Sequence, residues 1–156
     1  WSSDVCSSDL NLSSFLPLLQ HADYRFISVQ YGDTATECEA IKRDYGVTVE
    51  RIADVDNTKD IDGLAALMTA CDAVLSVSNT NVHIAAGLGL PTWVLVPKGR
   101  GKLWFWFYEG DYSPWYSRLR VCRQKMDETW EETVARVTPE IAAFLSSVEP
   151  RGKTGP

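Results

Sequence analysis

Apolar positions follow two alternating rhythms along the chain: short β-rich runs closed by turn residues, and longer segments with an apolar side chain every third or fourth position. Residues 24–31, YRFISVQY, end in Gly32-Asp33 and predict a strand that delivers its last residues to a turn. Residues 34–45 predict a helix capped by Thr34 or Thr36 and stopped by Gly46, and residues 47–53 predict a second strand. After the polar loop 54–59, Ile61, Leu64, Ala65, Leu67, Met68 and Cys71 recur at helical spacing, with Asp60 and Asp62 at the positive end of that helix. A third strand at 73–77 runs into the polar cluster 78–81. A small-residue helix follows, opening at Asn79 or Thr80 and ending at Gly89 with Pro91 just beyond; a fourth strand covers 92–96. Alternation of this kind predicts an α/β fold, a Rossmann-like parallel sheet with helices on both faces. The helix opening at residue 79 or 80 would aim free N–H groups and a partial positive charge at the sheet's carboxyl edge, where such folds hold phosphates.

The pattern changes at its two ends and in one interior stretch. Residues 104–108, WFWFY, are five successive aromatics. In an extended conformation Trp104, Trp106 and Tyr108 would share one side, and Phe105 and Phe107 the other. A fifth strand is expected at 119–122 and a closing helix at 130–144, with Val134, Val137, Ile141 and Leu145 on one face and Pro139 placed to kink or split it. Near the start, residues 11–22 hold Phe15, Leu16, Leu18 and Leu19 around Pro17, enough for a short helical turn pair packed on a sheet, with His21 at its surface end. Residues 1–10, WSSDVCSSDL, repeat Ser-Ser-Asp and do not begin with Met. They read as a non-native, adapter-derived or disordered segment, so the true start of the polypeptide is expected to be missing. Residues 11–146 form the expected domain and 147–156 a disordered tail.

Composition narrows the function classes. The chain has 156 residues, 45% hydrophobic and 23% charged, which suits one ordinary soluble domain with its own core. No apolar run approaches the ~20 residues of a membrane span, and a cytoplasmic location is expected. A net charge of −6 argues against a nucleic-acid partner, which would need a basic face. Cys6, Cys38, Cys71 and Cys122 are too dispersed for a CxxC pair, and with His21 and His83 as the two histidines no metal cluster stands out; reduced thiols and no structural zinc are expected. The first strand is followed by QYGDTATE rather than GxGxxG, which argues against an NAD-binding enzyme.

Three stretches, FISVQYGD, SNTNVHIAAGLGLPTWVLVP and GDYSPWYSRLRVCRQ, carry a resemblance. From about residue 15 to about 144 the chain resembles the C-terminal, donor-binding half of a two-domain GT-B glycosyltransferase of family 9, the ADP-heptose:lipopolysaccharide heptosyltransferases. The third stretch points more to the bacterial tetratricopeptide-repeat proteins that carry such a domain. In the heptosyltransferases the block after the third strand reads Asp-Thr-Gly-x-x-His and holds the donor diphosphate. Here Ser78, Asn79 and Thr80 stand at the Asp-Thr-Gly places and His83 matches the histidine. A hydroxyl thus replaces the acid, which weakens a sugar-hydroxyl role for Ser78. Thr80 in place of glycine requires a turn without positive φ.

The resemblance implies a nucleotide-sugar-binding set of Ser78, Asn79, Thr80, Asn81, His83, Gln30, Tyr31 and Gly32, with Asp54 as the candidate ribose contact. Each has a plain alternative. Residues 79–81 suit an N-cap cluster, His83 a buried helix histidine, Gln30, Tyr31 and Gly32 a turn, and Asp54 a solvated loop acid. Trp104 to Tyr108 suit core or inter-domain packing, and Arg123 suits a surface ion pair better than a phosphate contact. The implied partners are a nucleotide-diphosphate sugar, a missing N-terminal Rossmann-like domain that would supply the catalytic base, and helical repeats of the same chain; no cofactor is implied. The competing expectation is a non-catalytic nucleotide-binding module on a repeat scaffold.

Overall fold

The computed structural model describes residues 10–21, 23–98, 104–107 and 109–148. The expected N-terminal segment up to residue 9, the tail beyond residue 148 and Tyr108 lie outside them. Each expected strand and helix has a counterpart, although the strands expected at 24–31 and 47–53 are reduced to two residues each. Strands β1 (Phe26–Ile27) and β2 (Val49–Glu50) pair in parallel, Phe26 opposite Val49, while β3 (Val74–Val77), β4 (Thr92–Val96) and β5 (Leu119–Arg123) form a second parallel sheet with β4 in the middle. A 3₁₀ turn at Leu12–Phe15 leads into α1 (Leu16–Leu19). The strands alternate with α2 (Ala35–Tyr45), α3 (Ile61–Thr69) and α4 (Thr80–Gly87), and α5 (Trp130–Ser147) closes the described fold. This is the Rossmann-like α/β class.

All five residues of β4 are buried, as expected of a central parallel strand covered on both faces. Alternation then sorts its side chains. Trp93 and Leu95 pack with Leu18 of α1 and with Trp130, Val134, Val137 and Ile141 of α5, whereas Val94 and Val96 pack with Val82 and Ala86 of α4 and with Trp106. Each such apolar side chain contributes about 1.5–3 kcal/mol on leaving water, so β4 anchors both layers. Smaller clusters join α1 to α2 and β2 through Leu16, Leu19, Cys38, Ile41 and Val49, and α3 to β3 and α4 through Leu64, Met68, Val74 and Ala85. Desolvation in the first layer pushes the Cys122 thiol up to about 12.

Helix boundaries follow local chemistry. Gly46 ends α2 with φ 73°, a conformation glycine adopts without a Cβ penalty. Its start is capped by neither threonine hydroxyl: Thr34 is the N-cap residue but makes no side-chain cap bond, and Asp33 Oδ1 instead accepts the Ala35 N–H at 3.0 Å. Asp60 caps α3 by accepting the Gly63 N–H at 2.8 Å, so close that any Cβ at position 63 would collide with the carboxylate. Helix α5 opens with a reciprocal capping box between Thr129 and Glu132.

Several expectations are corrected. Ile61, expected on the packed face of α3, is the first residue of that helix and is 63% exposed. Pro139 does not split α5: it deprives the Ala135 carbonyl of its N–H, but both residues are on the exposed face, where water can substitute. The helix runs to Ser147, into the stretch expected to be disordered. The aromatic run is not extended. Trp104–Trp106 is a 3₁₀ turn that buries Trp106 completely and leaves Trp104 72% exposed. Finally, the single expected sheet is present as two. Among the described residues β1 and β3 share no ladder and β1 is paired on one side, its pairing ending with the Ser28 N–H bonded to the Glu50 carbonyl at 2.8 Å.

Candidate functional site

The gap between β1 and β3 is where the winding of the chain reverses, since β2 lies beside β1, and β4 and β5 lie beside β3. A cavity of about 880 Å³ follows it, lined along one side by residues 26–31 and along the other by residues 70–79, with Asn81, Trp93 and Ile141 also on its wall. At the carboxyl end the gap is bridged: Asn81, the buried second residue of α4, donates its side-chain N–H to the Val29 carbonyl at 2.7 Å. The end of β1 is thereby tied to the start of α4.

That start is open in part. Asn79 is the N-cap in extended conformation, and its Oδ1 accepts the Val82 N–H at 3.4 Å and the Ser76 hydroxyl at 3.4 Å. Among the described residues the N–H groups of Thr80 and Asn81 have no acceptor, which leaves two of the helix's orphan donors available. Thr80 is helical; among the described residues Phe107 alone, apart from glycines, has positive φ, so the requirement set by threonine at that position is met.

His83 lies on the aromatic side of α4. Its ring is stacked on Trp106 at 5.3 Å and 11°, meets the Phe105 edge at 5.1 Å, and holds the Tyr116 hydroxyl 2.9 Å from Nδ1. Burial among these rings lowers its pKa, favouring the neutral imidazole. Trp106 in turn donates its indole N–H to Ser78 Oγ at 2.7 Å. The turn carrying Trp106 is clamped from β5: Arg123 donates to the carbonyls of Trp106 at 2.5 Å and Gly110 at 3.1 Å. Arg123 makes no carboxylate ion pair among the described residues, so the expected surface salt bridge is replaced by a loop clamp.

The expected set is therefore divided. Gln30, Tyr31, Ser78, Asn79 and Asn81 line the cavity, while Thr80 and His83 are on α4 outside its lining. Gly32 forms an exposed turn with φ 90°, which requires glycine. Asp54 is in an exposed turn after β2, off the cavity. The residue of that loop that reaches β1 is Asn57, whose amide donates to the Gln30 carbonyl at 3.2 Å. Asn57, Trp106, Arg123 and Tyr116 complete the arrangement. Of these, Tyr116 and Arg123 were within reach of the sequence, inside the stretch GDYSPWYSRLRVCRQ, but no local signal assigned their contacts.

No family model matches the sequence, and no solved structure matches it. Among characterised proteins the chain is similar to Protein FlbA of Caulobacter vibrioides, at 30% identity over 132 residues, 84% of this chain and 21% of that protein. The chain thus spans about a fifth of the length of the curated relative it matches.

Proposed function

We propose that this chain is the donor-binding half of a GT-B glycosyltransferase of the heptosyltransferase-like family, holding the diphosphate of a nucleotide sugar at the start of α4. The observation that carries the proposal is the pair of N–H groups at Thr80 and Asn81, without acceptors among the described residues, placed soon after β3 and joined by the Asn81 side chain to Val29 just beyond β1. Helix-start donors and their partial charge suit a diphosphate, and Gln30 and Tyr31, which line the same cavity as Asn79 and Asn81, would border a nucleotide. Breaking the sugar–phosphate bond builds negative charge on the diphosphate. Main-chain donors already fixed in place, together with a neutral imidazole N–H, would stabilise that charge without reorganising. The acceptor's base would come from a preceding domain, as would the acceptor site.

Calorimetric titration of the chain with ADP, GDP and UDP tests this. Binding of at least one, weakened by His83→Ala, is expected; no binding of any nucleotide diphosphate overturns the proposal. A second reading, a nucleotide-binding module without transfer activity, is favoured by one contact. Ser78 stands where the resembled family has an acid, and its hydroxyl oxygen already accepts the Trp106 N–H. Sugar transfer by the longer protein would decide between the two.

A further inference from the structure

A neutral imidazole carries one proton, and the partner of one ring nitrogen determines whether that proton sits on the other. For His83 that partner is a phenol. A tyrosine hydroxyl can donate or accept, but the two arrangements are unequal. Phenol, with pKa ~10, is a far stronger acid than a neutral imidazole N–H, and a bare imidazole nitrogen is a far stronger base than a phenol oxygen. At 2.9 Å the O–H···N arrangement is therefore the favoured one. Among the described residues the other aromatic rings against it are Phe105, which has no polar hydrogen, and Trp106, whose indole N–H is given to Ser78.

We propose that Tyr116 is a positioning residue for His83: its hydroxyl donates to Nδ1 and holds the ring as the tautomer protonated on Nε2. His83 then presents one N–H and no positive charge. Rotation of the ring is limited by the stack on Trp106, whose indole N–H is itself held by Ser78. The connection Tyr116, His83, Trp106, Ser78 thus runs from the loop before β5 to the turn that opens α4. Its consequence for binding rests on the donor site proposed above; its geometry does not. At that site His83 would serve a diphosphate as a directed hydrogen-bond donor rather than as a counter-ion.

The chain has two histidines, so long-range ¹H–¹⁵N spectra near neutral pH contain two rings, separable with His21→Gln. The expected wild-type result is Nδ1 resonating as a bare nitrogen displaced by an accepted hydrogen bond, and Nε2 as an N–H. Tyr116→Phe keeps the ring volume and should shift the Nδ1 resonance toward that of a ring exchanging between tautomers. A proton on Nδ1 in the wild-type chain, or a His83 spectrum indifferent to Tyr116→Phe, overturns the proposal. ADP titration supplies the second arm. Tyr116→Phe should weaken binding about 3- to 10-fold, the net worth of one hydrogen bond, and should have no further effect on top of His83→Ala. Equal losses in both backgrounds would show that Tyr116 acts without His83. If no nucleotide diphosphate binds the wild-type chain, the donor-site reading fails, and the tautomer result alone decides the role of Tyr116.

Discussion

Replacing Asn81 by aspartate sets two effects of opposite sign against each other. Asn81 is the second residue of α4, where the positive end of the helix favours a carboxylate by about 0.3–1 kcal/mol. Its side-chain N–H, however, is given to the Val29 carbonyl at 2.7 Å, and the residue is buried. An ionised aspartate has no N–H to give, so two acceptors would face each other. The lost bond and the carbonyl left without a partner cost about 1–3 kcal/mol, and desolvating the carboxylate adds to this. The loss exceeds the gain, leaving a net destabilisation of about 1–2 kcal/mol. With urea slopes of roughly 1–3 kcal/mol/M for small proteins, the midpoint should fall by about 1 M. Thr80→Asp is the control. It places a carboxylate one residue earlier at an exposed position with no such bond, so the midpoint should hold or rise slightly. Circular dichroism in urea near neutral pH reads both variants. An Asn81→Asp midpoint at or above wild type would refute the tie between β1 and α4, and a lower midpoint for Thr80→Asp would refute the dipole argument.

Two further predictions concern pH. Burial lowers the pKa of His83, so the unfolded chain binds the proton more readily and stability falls as pH drops through the unfolded value of ~6.5 toward the folded one. The urea midpoint of the wild-type chain should therefore decline between pH ~7.5 and pH ~5.5 more than that of His83→Phe, with no difference in slope above pH ~7. Glu128 acts with the same sign in a more acidic window. It accepts from both Arg136 Nε and Nη2, at 2.8 and 3.0 Å, and the paired guanidinium holds its carboxyl at about 2. Its contribution is present above the ordinary carboxylate value and is lost as pH falls through about 2. Glu128→Gln should cost about 1.5–3 kcal/mol near neutral pH, and the gap to wild type should close as pH falls below ~4.

Much of the fold was legible because its determinants are local. Gly46 stops α2 where a left-handed residue is needed, and Pro91 follows the end of α4 by a few residues; the short, β-branched apolar run of β4 suits a strand covered on both faces. The aromatic run misled because period-two alternation is equally satisfied by a strand and by a tight turn with one ring buried. What decides for the turn is a hydrogen-bond donor 17 residues away, Arg123, gripping the Trp106 carbonyl. Pro139 misled for the converse reason: a local helix breaker is overridden by Val134, Val137 and Ile141 packing on the sheet on either side of it. The gap between β1 and β3 had no local signal at all, since strand pairing is not written in either strand's own pattern.

The candidate site divides along the same line between local and distant contacts. Asn79 as N-cap follows from a polar cluster after an apolar run, and the lack of intrahelical acceptors for the Thr80 and Asn81 N–H groups follows from helix geometry. The contacts that give the site its character span 52 residues from Asn81 to Val29, 33 from His83 to Tyr116 and 28 from Trp106 to Ser78. Each joins α4, or the turn that opens it, to a segment distant in sequence, and each uses a side chain whose residue type alone permits several partners. Asn81 illustrates the consequence. As a residue type at a helix start it suits a ligand, yet its amide is spent on tying the start of α4 to Val29 beyond β1. On the proposed reading an anion would therefore meet the main-chain N–H groups of Thr80 and Asn81 and the imidazole of His83, while the Asn81 side chain fixes where that main chain lies.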